Sequence, residues 1–309
     1  GVCEGDRGHC VTEGVSMADE LITIASDGLT AAINPLGAEL WSLSDAQGHE
    51  LMTDADPRWW TGHAPLLFPF VGRSQGDVYR LDGHEFPMPQ HGFARRMAFA
   101  QVEHLPESVI FRLDADAETR AVYPFDFRLD MQFAIAGRTL MMTATVMNRG
   151  EADMPFSFGY HPAFAWPLPF GGATGAHIVE FEKAEPAPIR KVGDEPGLIA
   201  RESVASPVEG KVLTLSHAMF EGDALIWDEL ESHSLLWGVP GRTRLKIDFP
   251  DTPWLGLWQK PGAHYLCVEP WAGMADLVGF EGDVWDKQGV MRLLPGDERR
   301  FRMDVSLVE

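Results

Sequence analysis

Phe127-Arg128-Leu129-Asp130-Met131-Gln132-Phe133-Ala134-Ile135 decides the fold class. Phe127, Leu129, Met131, Phe133 and Ile135 are apolar, and Arg128, Asp130 and Gln132 stand between them. A period of two sends successive side chains to opposite faces of an extended chain, so the stretch reads as a half-buried antiparallel strand. The same period returns in Val109, Phe111 and Leu113, in Leu245, Ile247 and Phe249, and in Phe301, Met303, Val305 and Leu307. Leu140–Asn148 is apolar or small on both faces and reads as a central strand buried on both sides. Turn signals such as Asn34-Pro35, Asp82-Gly83, Arg149-Gly150 and Pro295-Gly296 recur along the chain. No long stretch carries a strong helical period, and Asp54–Trp60 offers one short helical turn. Many strands between frequent turns imply an all-β protein, a large antiparallel β-sandwich or barrel. Ala184–Glu209, rich in Pro, Gly, Glu and Ser, reads as an insertion within that domain.

The 309 residues carry 46 acidic against 25 basic side chains, a formal net charge of −21. Such a chain repels phosphate backbones and anionic membranes, so nucleic acid and membrane are not expected as partners. No apolar run is long enough to span a bilayer. Three cysteines make no disulfide framework: Cys267 reads as a small buried hydrophobe, Cys3 and Cys10 as a weakly supported pair, and the usage fits a reducing cytoplasm. Gly1–Ser16 is polar and without periodicity, and is expected to be a disordered extension or upstream scar. Residues 17–309 are expected to form a single β-sandwich domain.

Three apolar segments each carry one ionisable residue that burial alone would not choose: Pro89-Gln90-His91-Gly92-Phe93, Phe158-Gly159-Tyr160-His161-Pro162 and Val268-Glu269-Pro270-Trp271. A charge taken out of water needs a partner or a shifted pKa. Two histidines and a glutamate placed this way suggest a proton-transfer site, although each alone reads equally as a hydrogen-bonded structural residue. Alternation places Tyr265, Cys267 and Glu269 on one face of their strand, with Pro270 expected to end regular pairing just after. Phe156, Phe158 and Tyr160 share a face, leaving His161 beside the small Ser157 and Gly159 on the other. Gly92 permits a ligand to approach the backbone closely. Arg73, ending an apolar run, has the geometry to donate paired hydrogen bonds to vicinal hydroxyls, or to form an ordinary surface salt bridge. No HExxH, CxxC, phosphate-cradling loop or Gly-x-Ser-x-Gly elbow occurs, so no metal is expected and serine-hydrolase chemistry has no support.

In motif order from about Leu21 to the C-terminus the chain resembles the aldose 1-epimerase (galactose mutarotase-like) family, most closely its LacX-like branch. The resemblance rests on Gly37-Ala38-Glu39-Leu40, Ala64-Pro65-Leu66-Leu67-Phe68-Pro69, Val71-Gly72-Arg73, Gln90-His91-Gly92-Phe93-Ala94-Arg95, Tyr123-Pro124-Phe125, Phe158-Gly159-Tyr160-His161-Pro162-Ala163-Phe164 and Glu269-Pro270-Trp271. It implies a β-supersandwich that interconverts the α and β anomers of an aldose by ring opening and reclosure, without cofactor. It implies His161 as general acid, Glu269 as general base, and His91 and Arg73 as residues that bind and orient the sugar. It also implies an aspartate, for which Asp223 is the nearest match and Asp228 the substitute. Trp271, Trp60 and Phe93 are aromatics that either stack on the sugar or pack the core. Two other readings stand beside this one: a hexose-6-phosphate 1-epimerase of the same fold drawing on Arg95-Arg96, and a non-catalytic sugar-binding or sensing protein. The expected partner is a small aldose, and the expected state is a cytoplasmic monomer or homodimer.

Overall fold

The computed structural model describes residues 20–309. The expected extension Gly1–Ser16, and Cys3 and Cys10 with it, lie outside the described residues.

Phe127–Ala136 pairs antiparallel with Ser108–Asp114 on one side and Thr139–Asn148 on the other. Around it grows a nine-stranded sheet. Its order is Val212–Thr214, Ile178–Phe181, Ser234–Gly238, Arg244–Asp248, Glu298–Val308, Thr139–Asn148, Phe127–Ala136, Ser108–Asp114 and Ala100–Leu105. A seven-stranded sheet runs Arg190–Lys191, Leu225–Trp227, Trp254–Trp258, Tyr265–Ala272, Phe158–Tyr160 and Leu66–Leu67, with Ala163–Ala165 also paired to Tyr265–Ala272. Ile22–Ala25, Leu29–Asn34 and Glu39–Asp45 form a third, smaller sheet. Among the described residues the one α-helix is Ala117–Val122, closed at its start by the Asp116 carboxylate, which accepts from the Thr119 amide at 2.8 Å. The all-β reading holds.

One apolar cluster joins the two large sheets. Leu129, Met131, Phe133, Met142, Ala144, Phe301 and Met303 from the first meet Phe158, Tyr160, Leu266 and Val268 from the second. Burial of each large side chain contributes about 1.5–3 kcal/mol against the unfolded chain. The period of two thus does what it promised: it supplies each sheet with one face for this core.

Thr139–Asn148 is central, as expected, but it is not buried on both sides. Leu140, Met142, Ala144, Val146 and Asn148 are buried and the residues between them half-buried. Its outer face carries Thr143 and Thr145 beside Arg302 and Arg300, whose stems shield the strand without sealing it. Asp54–Trp60 is one hydrogen-bonded turn and not a helix: the amides of Trp59 and Trp60 both donate to the Asp56 carbonyl. Ala184–Glu209 is no loose excursion. It supplies the edge strand Arg190–Lys191, and Arg190 pairs with Asp228 at 3.0 Å.

Candidate active site

Two neighbouring residues of opposite parity connect the core to the site. Tyr160 turns into the core, where its hydroxyl donates to the Phe301 carbonyl at 2.7 Å and accepts from the Ala144 amide at 3.1 Å. His161, next in the chain, therefore faces the other way. Tyr265–Ala272 obeys the same rule: Leu266 and Val268 enter the main core, while Tyr265 and Cys267 pack with Trp59, Trp60 and Trp258 on the face that also carries Glu269. Strand pairing continues through Pro270 to Trp271, contrary to expectation. The missing Pro270 donor causes no loss, because on its other side the neighbouring chain pairs only as Phe158–Gly159 and again as Ala163–Ala165. His161 and Pro162 cross that gap, which brings His161 Nε2 to 3.3 Å from Glu269 Oε1.

Both side chains are more than nine-tenths buried, and His161 Nδ1 and Glu269 Oε1 complete no hydrogen bond among the described residues. Burial, helped by the Arg95 charge, pulls the His161 imidazole down to about 3. Burial, and then the Asp223 charge, pushes the Glu269 carboxyl well above its ordinary range, while the Trp271 indole N–H favours the charged form. Each shift favours the neutral form of its group.

A cavity of about 240 Å³ opens onto this pair. That lies below the roughly 300–1,000 Å³ of pockets for drug-sized ligands and suits a single small ring. Trp60, Trp258, Trp271 and Ile226 give it apolar walls, and Gln90, His91, Arg95 and Asp223 its polar ones. Trp60 lies against the His161 ring with centroids 5.1 Å apart, and Trp258 meets it edge-on at 5.9 Å. Val192, Gly197 and Ile199 of the inserted segment also line it. The cavity leads out to a wider depression that shares Trp60, Val192, Asp223 and Trp258.

The His91 ring lies 5.5 Å from that of His161. Its Nδ1 accepts from the Gly72 amide at 3.0 Å, and its own amide donates to the Gly72 carbonyl at 2.9 Å. Burial and the charges of His161 and Arg95 hold its pKa down. Neutral His91 therefore carries its proton on Nε2 and offers it as a donor. Gly92 serves this placement and not a ligand. At φ +74° it packs so tightly that a Cβ would stand 2.2 Å from the Phe68 carbonyl oxygen. Gly92→Ala is expected to cost about 2 kcal/mol or more, from left-handed strain and backbone overlap together. An unchanged urea midpoint in that variant would count against this account.

Arg73 forms the salt bridge that stood as the second of its two sequence readings. Its guanidinium does not line the cavity: Nε donates to Asp77 at 2.8 Å and Nη1 to the Pro196 carbonyl at 2.7 Å. It fastens the loop carrying Gly197, where an added Cβ would stand 3.2 Å from the Cβ and Cδ of Arg73. Arg95, considered from sequence for phosphate, is the arginine on the wall; Arg96 is exposed outside. Asp223 stands at the mouth with φ +74° and an oxygen accepting from the Ala224 amide at 2.7 Å. Asp228 is occupied by Arg190 and takes no part. Space beside Gly159 is taken by the Trp271 indole, since a Cβ at Gly159 would stand 2.7 Å from its ring. Phe93 packs with Phe68, Tyr123 and Phe127 and stays in the core. Trp258 is the wall residue that sequence reasoning missed. Its signal lies in Trp254-Leu-Gly-Leu-Trp258, whose period of two puts Trp258 on the face of Gly256, the cross-strand partner of Glu269.

Comparison with known proteins agrees with this fold. The family profile for aldose 1-epimerase matches residues 20–194. Protein LacX of Lactococcus lactis subsp. lactis is 31% identical over 296 residues, covering 93% of this chain and 99% of the relative. A galactose mutarotase related enzyme from Lactobacillus acidophilus superposes with a TM-score of 0.86 at 30% identity, over 94% of this chain and 98% of that one. A galactose mutarotase-like protein from Lactobacillus casei gives 0.85 at 30% identity, over 94% and 100%. With motifs, fold and relatives in agreement, the chain belongs to the aldose 1-epimerase family and is a sugar epimerase of the isomerase class.

Proposed function

We propose that the protein interconverts the α and β anomers of a free, unphosphorylated aldose, with Glu269 as base and His161 as acid. The observation that carries the reading is the buried His161–Glu269 contact at 3.3 Å, open to a cavity of single-ring size. Glu269 takes the proton of the anomeric hydroxyl while His161 gives one to the ring oxygen. The C1 to ring-oxygen bond breaks and C1 becomes an aldehyde carbon. Rotation about C1–C2 presents its other face, the ring hydroxyl attacks, and both protons return. No proton enters or leaves overall. The pair needs one proton at the start, which is the number that burial favours: Glu269 ionised with His161 charged, and both neutral, are the two ends of one half-reaction.

The remaining residues hold the ring. His91 Nε2–H and Arg95 donate to sugar oxygens, Asp223 accepts from hydroxyls at the mouth, and Trp60 and Trp258 cover apolar C–H faces. Arg73 acts one step removed, by pinning the loop at Pro196 and Gly197. Preference for a neutral sugar follows from the charges outside: Asp194, Glu195, Glu202, Glu221 and Asp223 border the outer depression against Arg201 and Lys260. Arg95 is the feature that favours the phosphorylated alternative.

Polarimetric relaxation of fresh α-glucose, α-galactose and α-glucose 6-phosphate tests the reading. Acceleration of at least one neutral sugar is expected, with the phosphate ester slower. Faster turnover of the ester would transfer the assignment to a hexose-6-phosphate epimerase. Binding without acceleration of any aldose would favour a sugar sensor.

A further inference from the structure

Cys267 has no role in the reaction above, yet it lies on the same strand face as Glu269, two residues before it. Its Sγ, a His161 ring nitrogen and a Glu269 carboxylate oxygen all lie within 4.8 Å of one another, and all three residues are buried. One nitrogen, one sulfur and one oxygen form a borderline-soft donor set of the kind that zinc takes. A tetrahedral ion bound at about 2.0–2.3 Å holds its ligand atoms roughly 3.3–3.8 Å apart. His161 Nε2 and Glu269 Oε1 already stand 3.3 Å apart. Glu269 Oε1 is also buried without a hydrogen-bond partner among the described residues. Glu269 and His161 are on the cavity wall, so an ion has a way in, and Cys267 waits behind them.

We propose that His161, Cys267 and Glu269 form a capture site for a thiophilic divalent cation of the zinc type, and that the bound ion shuts off the proton relay. A divalent ion held by thiolate, neutral imidazole and carboxylate leaves the site with a net charge of zero, the ligand protons being released to solvent. No net charge is moved into the low-dielectric interior, which avoids the largest cost of burying an ion. The ion then occupies the lone pairs through which Glu269 accepts a proton and His161 donates one. A fourth position faces the cavity, so sugar and ion exclude each other in part.

Ion binding is measurable without turnover, and only the inhibition arm rests on the proposed epimerase reaction. Equilibrium dialysis of the full chain with Zn²⁺ would be run beside Cys267→Ala and Cys267→Ser. Expected are one more tightly bound ion in the parent than in either variant, or an affinity at least about tenfold weaker in both. Ions held equally by all three proteins sit elsewhere on the chain and do not count. Co²⁺ added to the parent should give a thiolate-to-metal charge-transfer band that both variants lack. In polarimetry, Zn²⁺ should inhibit the parent at concentrations that leave the two variants active, with chelator restoring the rate. Equal Zn²⁺ affinity in parent and variants, or a parent without the Co²⁺ band, overturns the capture site. Inhibition equally strong in the variants overturns the claim that the captured ion blocks the relay. A parent inactive in chelator faults the epimerase reading instead, and leaves dialysis and the Co²⁺ band to decide capture.

Discussion

Glu269→Gln should still bind sugar and relax a fresh α-anomer roughly 10²–10⁴ times more slowly than the parent, the usual loss for a positioned general base. In barrier height that is about 2.7–5.5 kcal/mol. Glutamine keeps the volume and one oxygen, so the strand and the packing around Cys267 and Trp271 should survive. What is lost is the lone pair that receives the anomeric proton, because an amide is scarcely basic. Strand position makes the loss hard to repair. Gly256 across the ladder and Trp271 two residues on leave no second carboxylate on this face. Asp223 stands at the mouth of the same cavity and already accepts from the Ala224 amide. The measurement is polarimetric relaxation corrected for the uncatalysed rate, with affinity measured separately by calorimetry. A variant that relaxes the sugar as fast as the parent would remove Glu269 from the base role.

His161→Ala should fall by a similar factor, because the ring oxygen then leaves without a proton donor. His91 is the nearest candidate to replace it, with its ring 5.5 Å from that of His161. Its Nδ1 is tied to the Gly72 amide, which leaves its Nε2–H as a fixed hydrogen-bond donor. Because acid and base act as one unit, the double variant with Glu269→Gln should lose much less than the product of the two single losses. Full multiplication would mean two independent contributions and would contradict the paired mechanism. The parent's own pH profile belongs to the same argument. Activity needs one proton on the pair. On the acid side a second proton goes to His161, whose pKa burial and Arg95 lower, so this limb lies well below the ordinary histidine range. On the alkaline side the last proton leaves, and the raised Glu269 carboxyl moves that limb above the ordinary glutamate range. The result is a bell whose two limbs belong to the pair and not to either residue. A rate that rises monotonically through the neutral range would fit a lone base and not this pair.

Side-chain parity is legible in the amino-acid sequence itself. In an extended chain the direction of each side chain is a local property, so alternation alone assigns Phe127, Leu129 and Met131 to a core, separates Tyr160 from His161, and puts Glu269 with Cys267 and Tyr265. The motifs around His91, His161 and Glu269 then point to one site. Tertiary structure decided what parity cannot express, namely which distant segment fills the space a side chain faces. Room beside Gly159 went to the Trp271 indole, and the freedom of Gly92 to the Phe68 carbonyl. Arg73 is bound by Asp77 and Pro196, and Arg95 stands on the cavity wall. Trp258 entered the site through the register of its strand against Glu269, and Pro270 was tolerated because the neighbouring chain breaks there. Register, loop closure and competition for a hydrogen-bonding group depend on residues tens to hundreds of positions apart. They are settled when the sheets assemble, and no local pattern in the chain encodes them.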